Sequence, residues 1–495
     1  MRHMFNKLRL GSIILTLIIL LLSAACASVT TTPLVTNTFS TTPVKQSPPK
    51  EQYSIKYSGV GGSYVYALTV DNSGNVYIGG YTGYTFGSGF RDYTVMKYGN
   101  TGNKLWISIY NSPEVGVNVA RALAVDPSGN VYVTGQSQGA GTGNDYTTIK
   151  YDGKGNQLWV ARYNGPDNGD DAATSLAIDN TGVYVTGSSQ GTNSGKDFLT
   201  LKYDLDGNKL WDARYNSPEN GDDFAQALAI DNSGNVYITG TGNGTQYAAG
   251  GSSDLPSVTN PSGAKGYYTA IKYDRNGQQL WASQYKGTGY LDDIPHAIKV
   301  DSSGNVYVTG ESMNSDTGYD YATIKYDADG KQQWAVRYDG TTKGADGAFA
   351  MALDNAGNIL ITGYSSVSIN GTGVLEYATV KYDNAGNLVW VARYSGPRGE
   401  NIPCSILTNN DENVYVTGVS GFIKYDNTAY ENYATVKYDK NGNQLWSIRY
   451  SDGNESNNIA QALALDASGN VYVTGINYPK GADYAAITTI KYVQK

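Results

Sequence analysis

The stretch "DNSGNVYITG" (231–240) reads as a tight turn entering a short strand, and the chain writes it repeatedly. Close copies stand at 71–80, 126–135, 301–310 and 466–475, and degraded ones at 179–187, 354–363 and 409–418. The spacing is 52–57 residues throughout, except for one 70-residue step between 231 and 301. A period of that size over 495 residues points to one repeat architecture rather than several unrelated domains.

Around each copy the sequence resolves into four β-like segments. Strand a precedes the turn, as in "AQALAI" (225–230), and strand b follows it as "VYITG". A variable loop leads to strand c, as in "DYTTIKYD" (145–152), and a second turn leads to strand d, "QLWVARY" (157–163). The segments are 4–7 residues long, rich in Val, Ile, Thr and Tyr, and bounded by Gly, Asn and Asp. Both turns share the pattern D-x-x-G-N. The Asp can accept from backbone N–H groups two residues on, and the Gly supplies positive φ. A calcium loop would need carboxylates at alternating positions, so a structural turn is the reading preferred.

The strand count decides the architecture. Strands a, b and c occur eight times, but strand d with its tryptophan occurs seven times, at Trp106, Trp159, Trp211, Trp281, Trp334, Trp390 and Trp446. The missing copy lies at the other end. "YSIKYS" (53–58) aligns with "WSIRYS" (446–451), Tyr53 standing for Trp446. The expected fold is all-β: a single eight-bladed β-propeller with four antiparallel strands per blade, the last blade closed by the N-terminal strand. Closure removes the open edge of a linear array. The tryptophans are expected in the core between blades. Strand d also repeats Arg, at Arg162, Arg214, Arg337, Arg393 and Arg449, where charge on an outer strand would block edge-to-edge pairing.

The pattern "AxALAVDxSGNVYVTG…DYxTIKYDxxGNxLW" resembles the bacterial SBBP-type β-propeller repeat over essentially all of 52–495. Its a–b half also resembles NHL repeats, and "DxxGNxLW" resembles the tryptophan-docking motif of quinoprotein-type propellers. The resemblance implies the fold; it says little about activity, because propellers host enzymes, receptors and scaffolds alike.

The N-terminus reads as a targeting segment. Arg2, Lys7 and Arg9 precede the apolar run 13–25, and Cys26 follows directly. "LSAAC" resembles a bacterial lipobox, which implies a signal peptide over 1–25 and lipidation of Cys26. Residues 26–50, rich in Ser, Thr and Pro, read as a tether, and 51–495 as the propeller. Cleavage would remove three of the 36 basic residues and none of the 44 acidic ones, giving a net charge of −11. That balance argues against nucleic acid as a partner. With Cys26 lipidated, Cys404 would be left without a partner for an intrachain disulfide.

Residues for chemistry are sparse. Beyond the signal there is one histidine, His296, in the strand-a slot that holds Arg121, Thr174, Gln226, Met351 and Gln461 elsewhere. One histidine and one cysteine make no nucleophilic triad or transition-metal set, so neither metal nor cofactor is expected. The pairs Asp170-Asp171, Asp222-Asp223 and Asp292-Asp293 precede strand a and read as loop caps. Aromatic residues on the b–c connections carry the remaining signal, since tyrosine gives amphipathic contact area at low entropy cost. The candidate ligand-binding residues are Tyr81, Tyr84, Phe86, Phe90, Tyr247, Tyr267, Tyr319, Tyr364, Tyr425 and Tyr430. The expectation is a monomeric, lipid-anchored, extracytoplasmic module binding protein or polysaccharide through its variable loop face. The alternatives are a glycan-active enzyme and an envelope assembly scaffold.

Overall fold

The computed structural model describes residues 45–494 apart from 60, 85–89, 113, 245–264, 370–371, 398, 424–428 and 454–455. Residues 1–25, Cys26 and most of the tether lie outside this set. Among the described residues there is no helix. Eight four-stranded antiparallel sheets form, seven of them in the order a-b-c-d along the chain. The eighth is assembled from both ends: the closing strand Lys50–Tyr57 pairs with Ala486–Val493, which pairs with Val471–Tyr478 and then Asn457–Leu465. Tyr53 stands opposite Lys491, the register that Trp446 keeps with Lys437. The inner strand of blade 1 packs on blade 8, so the ring is closed.

Several strands run to 9–11 residues, longer than the sequence suggested. The b–c hairpin of blade 6, for example, pairs continuously over Ile359–Ile369 and Thr372–Tyr382. The ladder runs on through polar and glycine-rich sequence because backbone pairing does not require apolar side chains.

Each hydrophobic cluster combines two neighbouring blades. Tyr132 and Tyr146 of blade 2, for instance, join Val183, Val185, Leu199 and Leu201 of blade 3. At the outer end of this seam the tryptophan of one blade docks on the c–d turn of the next. Trp159 Nε1 donates to Leu205 O at 3.0 Å, and Trp106, Trp211, Trp281, Trp334 and Trp390 repeat the bond within 3.0–3.1 Å. The turn glycine lies against the indole: a Cβ on Gly207 would fall 2.7 Å from Trp159 Cδ2, and φ there is +90°. The tryptophans pack against the clusters between blades, as expected, but not all of them are buried. Only Trp446 is buried, and the other six are partly exposed, because the docking step lies at the rim of the seam rather than in its centre.

A second device stitches the seam nearer the axis. The strand-b tyrosine hydroxyl donates to the turn aspartate, as Tyr237 does to Asp231 at 2.9 Å. The strand-c lysine lies over that ring, Lys272 Nζ 5.3 Å from the Tyr237 centroid, and donates to Ala328 O of the next blade at 3.0 Å. In blade 6 the tyrosine is replaced by Leu360, and Lys381 instead forms an ion pair with the turn carboxylate of Asp354 at 2.8 Å.

The strand-d arginines do not guard an edge. Arg162, Arg214 and Arg337 pair with Asp145, Asp197 and Asp320 of strand c at 2.7–2.9 Å. Three of the arginines also reach a tyrosine hydroxyl of the preceding blade. A guanidinium has enough donors to serve both blades at once, which a solvated edge charge would not do.

The docking contact can be separated from backbone strain. Gly207 and Gly469 both have positive φ, but only Gly207 faces a ring, while a Cβ on Gly469 meets nothing within 4 Å. Gly469→Ala is expected to cost roughly 1–2 kcal/mol from the left-handed backbone alone. Gly207→Ala should cost clearly more, as measured by chemical denaturation; equal losses would contradict the docking role.

Candidate functional site

The a–b and c–d turns share one face of the ring, and the leading aspartates of its D-x-x-G-N turns are already occupied. Asp71 Oδ1 accepts from Ser73 N and Asn75 N at 2.9 Å, and Oδ2 from Asn75 Nδ2 and Tyr77 Oη at 2.8 and 2.9 Å. Burial opposes the charge on Asp71, but these bonds outweigh it and hold the carboxyl below its ordinary pKa. A cavity of about 370 Å³ opens on this face between blades 4 and 5, lined by Asp231, Asp301 and Lys272 among others. The two carboxylates are bound to their own turns and Lys272 to Ala328 O, so these charged groups are already engaged within the protein.

The opposite face is built differently. In every blade strand a carries a one-residue bulge near its start, where the register slips against strand b. The facing glycine of the strand-b "TG" or "GG" step makes this possible, since a Cβ on Gly135 would lie 1.9 Å from Val119 O. The eight bulge residues are Tyr66, Arg121, Thr174, Gln226, His296, Phe349, Cys404 and Gln461. Phe349 corrects the assignment of Met351: it stands five residues before the turn residue Asp354, as Arg121 does before Asp126, while Met351 takes the register of Leu123.

Within this ring Arg121 lies over Tyr66, 4.3 Å from its centroid, and His296 meets Phe349 edge-on at 5.1 Å. Phe349 in turn touches Tyr364 at 5.5 Å. Burial pushes His296 down to about 4, so the imidazole is neutral at pH 7. Burial pushes the Cys404 thiol up to about 12, and its Sγ donates to Ala460 O at 3.2 Å, which leaves it a poor nucleophile. Glu311, on strand b of blade 5, is pushed up to about 7 by burial, partly offset by a bond from Tyr364.

The candidate aromatics are placed unevenly. Tyr81, Tyr84, Tyr267, Tyr319, Tyr364 and Tyr430 lie on extended b and c strands rather than in loops, because the hairpin ladders run past the expected strand ends. Tyr81 and Tyr267 are each 1% exposed. Tyr81 stacks on Tyr64 at 4.8 Å, and Tyr267 hydrogen-bonds Glu219 and Gln284. These two serve packing. Phe90 is 48% exposed. Phe86, Tyr247 and Tyr425 lie outside the described residues, as does the side chain of Tyr84.

The structure adds residues that sequence reading passed over. Val115 (77% exposed), Tyr290 (75%) and Leu291 stand on the d–a loops of the same face. Their signal was a large apolar residue inside a Gly-bounded loop, as in "EVGV" and "GYLD". The loop bearing Phe90 is tied to the loop bearing Val115: Arg91 N donates to Gly116 O and Asn118 N to Arg91 O, both at 3.1 Å.

The paired aspartates cap these loops. Asp223 accepts from Ser217 N at 2.6 Å and Asn243 N at 2.8 Å, and Asp171 does the same for Gly165 and Gln190. Asp320, Asp339 and Asp346 also converge, one oxygen of each lying within 4.8 Å of the others, with Arg337 paired to Asp320.

A closed ring of four-stranded blades with one uniform and one variable face defines an eight-bladed β-propeller. The model for the SBBP β-propeller repeat matches residues 106–141, 219–248 and 280–316, and the chain is a β-propeller repeat protein. It is similar to an uncharacterized WD repeat-containing protein of Acanthamoeba polyphaga mimivirus, 26% identical over 470 residues and covering 78% of this chain. The chain spans about a third (31%) of that relative's length. Among solved structures, a protein of unknown function from Dyadobacter fermentans aligns over 90% of this chain and 99% of its own, with 9% identity and a TM-score of 0.40. The polysaccharide lyase Uly1 aligns over 90% and 99%, with 8% identity and a TM-score of 0.44. Likenesses this distant say nothing about activity.

Asp223 provides a test of the capping role. Burial pushes its carboxyl up to about 7, against the pull of the two backbone donors. A raised carboxyl favours the folded state when protonated, so its contribution is complete below the ordinary carboxylate range and is lost as pH rises through about 7. Blades 2, 7 and 8 already use Asn118, Asn401 and Asn458 at this step. Asp223→Asn is therefore expected to fold normally and to flatten the fall in Tm between pH 5 and pH 8. An unchanged slope would exclude Asp223 as its source.

Proposed function

We propose that this chain is a non-catalytic binding module, held outside the cytoplasm by a lipid on Cys26, whose b–c and d–a loop face takes a protein or polysaccharide ligand. The observation that carries the reading is the joined Phe90–Val115 loop pair, which presents exposed apolar side chains beside the Tyr64–Tyr81 stack. The turn face has its leading turn aspartates bound internally and repeats the same turn. Contact energy in such interfaces concentrates in a few large side chains. One observation favours a glycan-active enzyme: Glu311, pushed up to about 7, resembles the acid of a glycosidase pair. That machinery needs a raised acid and an ionised carboxylate set on either side of a bound sugar, and a raised acid alone does not make it, so binding remains the reading preferred.

Screening residues 45–495 against glycan arrays and by pull-down supplies the ligand. Phe90→Ser with Val115→Ser should then weaken it at least tenfold with little change in Tm. Asn130→Ala on the turn face should leave binding intact. The reverse pattern would move the site to the other face.

The anchor is tested separately. Cys26→Ser is expected to move the protein from the membrane to the soluble fraction and to abolish labelling by a radioactive fatty acid. Unchanged membrane retention would overturn the lipid anchor.

A further inference from the structure

The blades repeat one another at the turn aspartate, the strand-b glycine, the strand-c lysine and the small residues flanking each bulge. On the bulge itself they do not: eight equivalent positions carry seven residue types. A bulge re-aims the side chain that stands on it, and the backbone here imposes no particular residue. The variation therefore lies where the repeat is structurally indifferent and where the channel opens toward the variable face.

Arg121 is the telling member. The arginines of strand d are engaged: Arg162, Arg214, Arg337 and Arg393 each have a carboxylate within 2.7–3.6 Å, and Arg449 donates to Ser420 O. Arg121 has neither an ion pair nor a hydrogen bond, and its Nη2 is shut off from solvent without a partner. Its guanidinium instead lies over the Tyr66 ring. Arg121 as a whole is part-exposed, and a fork held by its face on an aromatic ring leaves the N–H groups of Nε and Nη1 for a planar oxyanion.

From this we infer that the bulge ring is the ligand-reading element of the face proposed above, and that Arg121 takes the carboxylate of an acidic sugar. The inference rests on the binding reading. One guanidinium in a chain of net charge −8 suits a monoanionic carboxylate better than a dianionic phosphate. The flanking bulge residues, Tyr66 and Thr174, suit a hydroxylated, ring-shaped ligand.

The test is calorimetry on the full chain with trigalacturonate, galactotriose and inorganic phosphate. Trigalacturonate is expected to bind, Arg121→Ala to weaken it at least tenfold, and Arg121→Lys to restore part of the loss. Galactotriose should bind more weakly and ignore both changes. Phosphate should compete poorly; competition as strong as the sugar acid would overturn the sugar assignment. No binding of trigalacturonate, or binding indifferent to Arg121, would overturn the whole inference. A ligand found by screening that responds to Phe90 and Val115 but not to Arg121 would leave the binding face standing and remove only this subsite.

Discussion

The indole of one blade resting on the turn glycine of the next, made at six of the eight seams, is the contact on which the ring stands. A four-stranded sheet with two apolar faces cannot bury either face alone, so its stability is a property of pairs of blades. The contact asks for glycine twice over, for positive φ and for the space the ring occupies. The Lys–Tyr–Asp chain then locks the same seam nearer the axis. Its logic shows in blade 6, where loss of the tyrosine ring brings the lysine directly onto the carboxylate. A buried ammonium needs a partner, and the nearest anion supplies it.

Closure sets the harder constraint, because blade 8 has no covalent c–d turn to offer blade 7. The chain ends substitute for it. Lys437, whose counterparts donate to turn carbonyls, instead donates to Gln494 Oε1 at 2.7 Å and Gln46 Oε1 at 3.3 Å. Gln494 in turn donates to Tyr415 Oη and Gly469 O. On the other side Tyr53 takes the tryptophan's place, and a Cβ on Gly102 would lie 3.0 Å from its ring. Two side-chain amides and a tyrosine thus reproduce a seam that elsewhere is made by backbone.

The variable face divides into structural and chemical parts that look alike in one dimension. Tyr81 and Tyr267 shared the composition of recognition residues, yet their rings are buried because they stand on paired strands whose faces alternate between seams. The strand-d arginines read as edge charges, yet Arg162, Arg214, Arg337 and Arg393 work inside the seam, because the strand-c acid that meets each lies 17 residues earlier and one strand inward. Val115 and Tyr290 drew no attention as isolated loop residues, and only their exposure marks them.

Periodicity in the sequence determined the blade count, the strand order and the closing strand, because each rests on local spacing that every repeat restates. Turn chemistry was legible for the same reason, since an Asp, a Gly and an Asn within five residues satisfy one another without outside help. The functional ring was not legible. Counting back five residues from the start of the a–b turn reaches the position in every blade and gives Phe349 rather than Met351, but nothing in that count marks it as a bulge. Which side chains line the channel mouth, and that Arg121 stands there without an acid, depends on which of eight separate segments come together. Only the closed ring decides that.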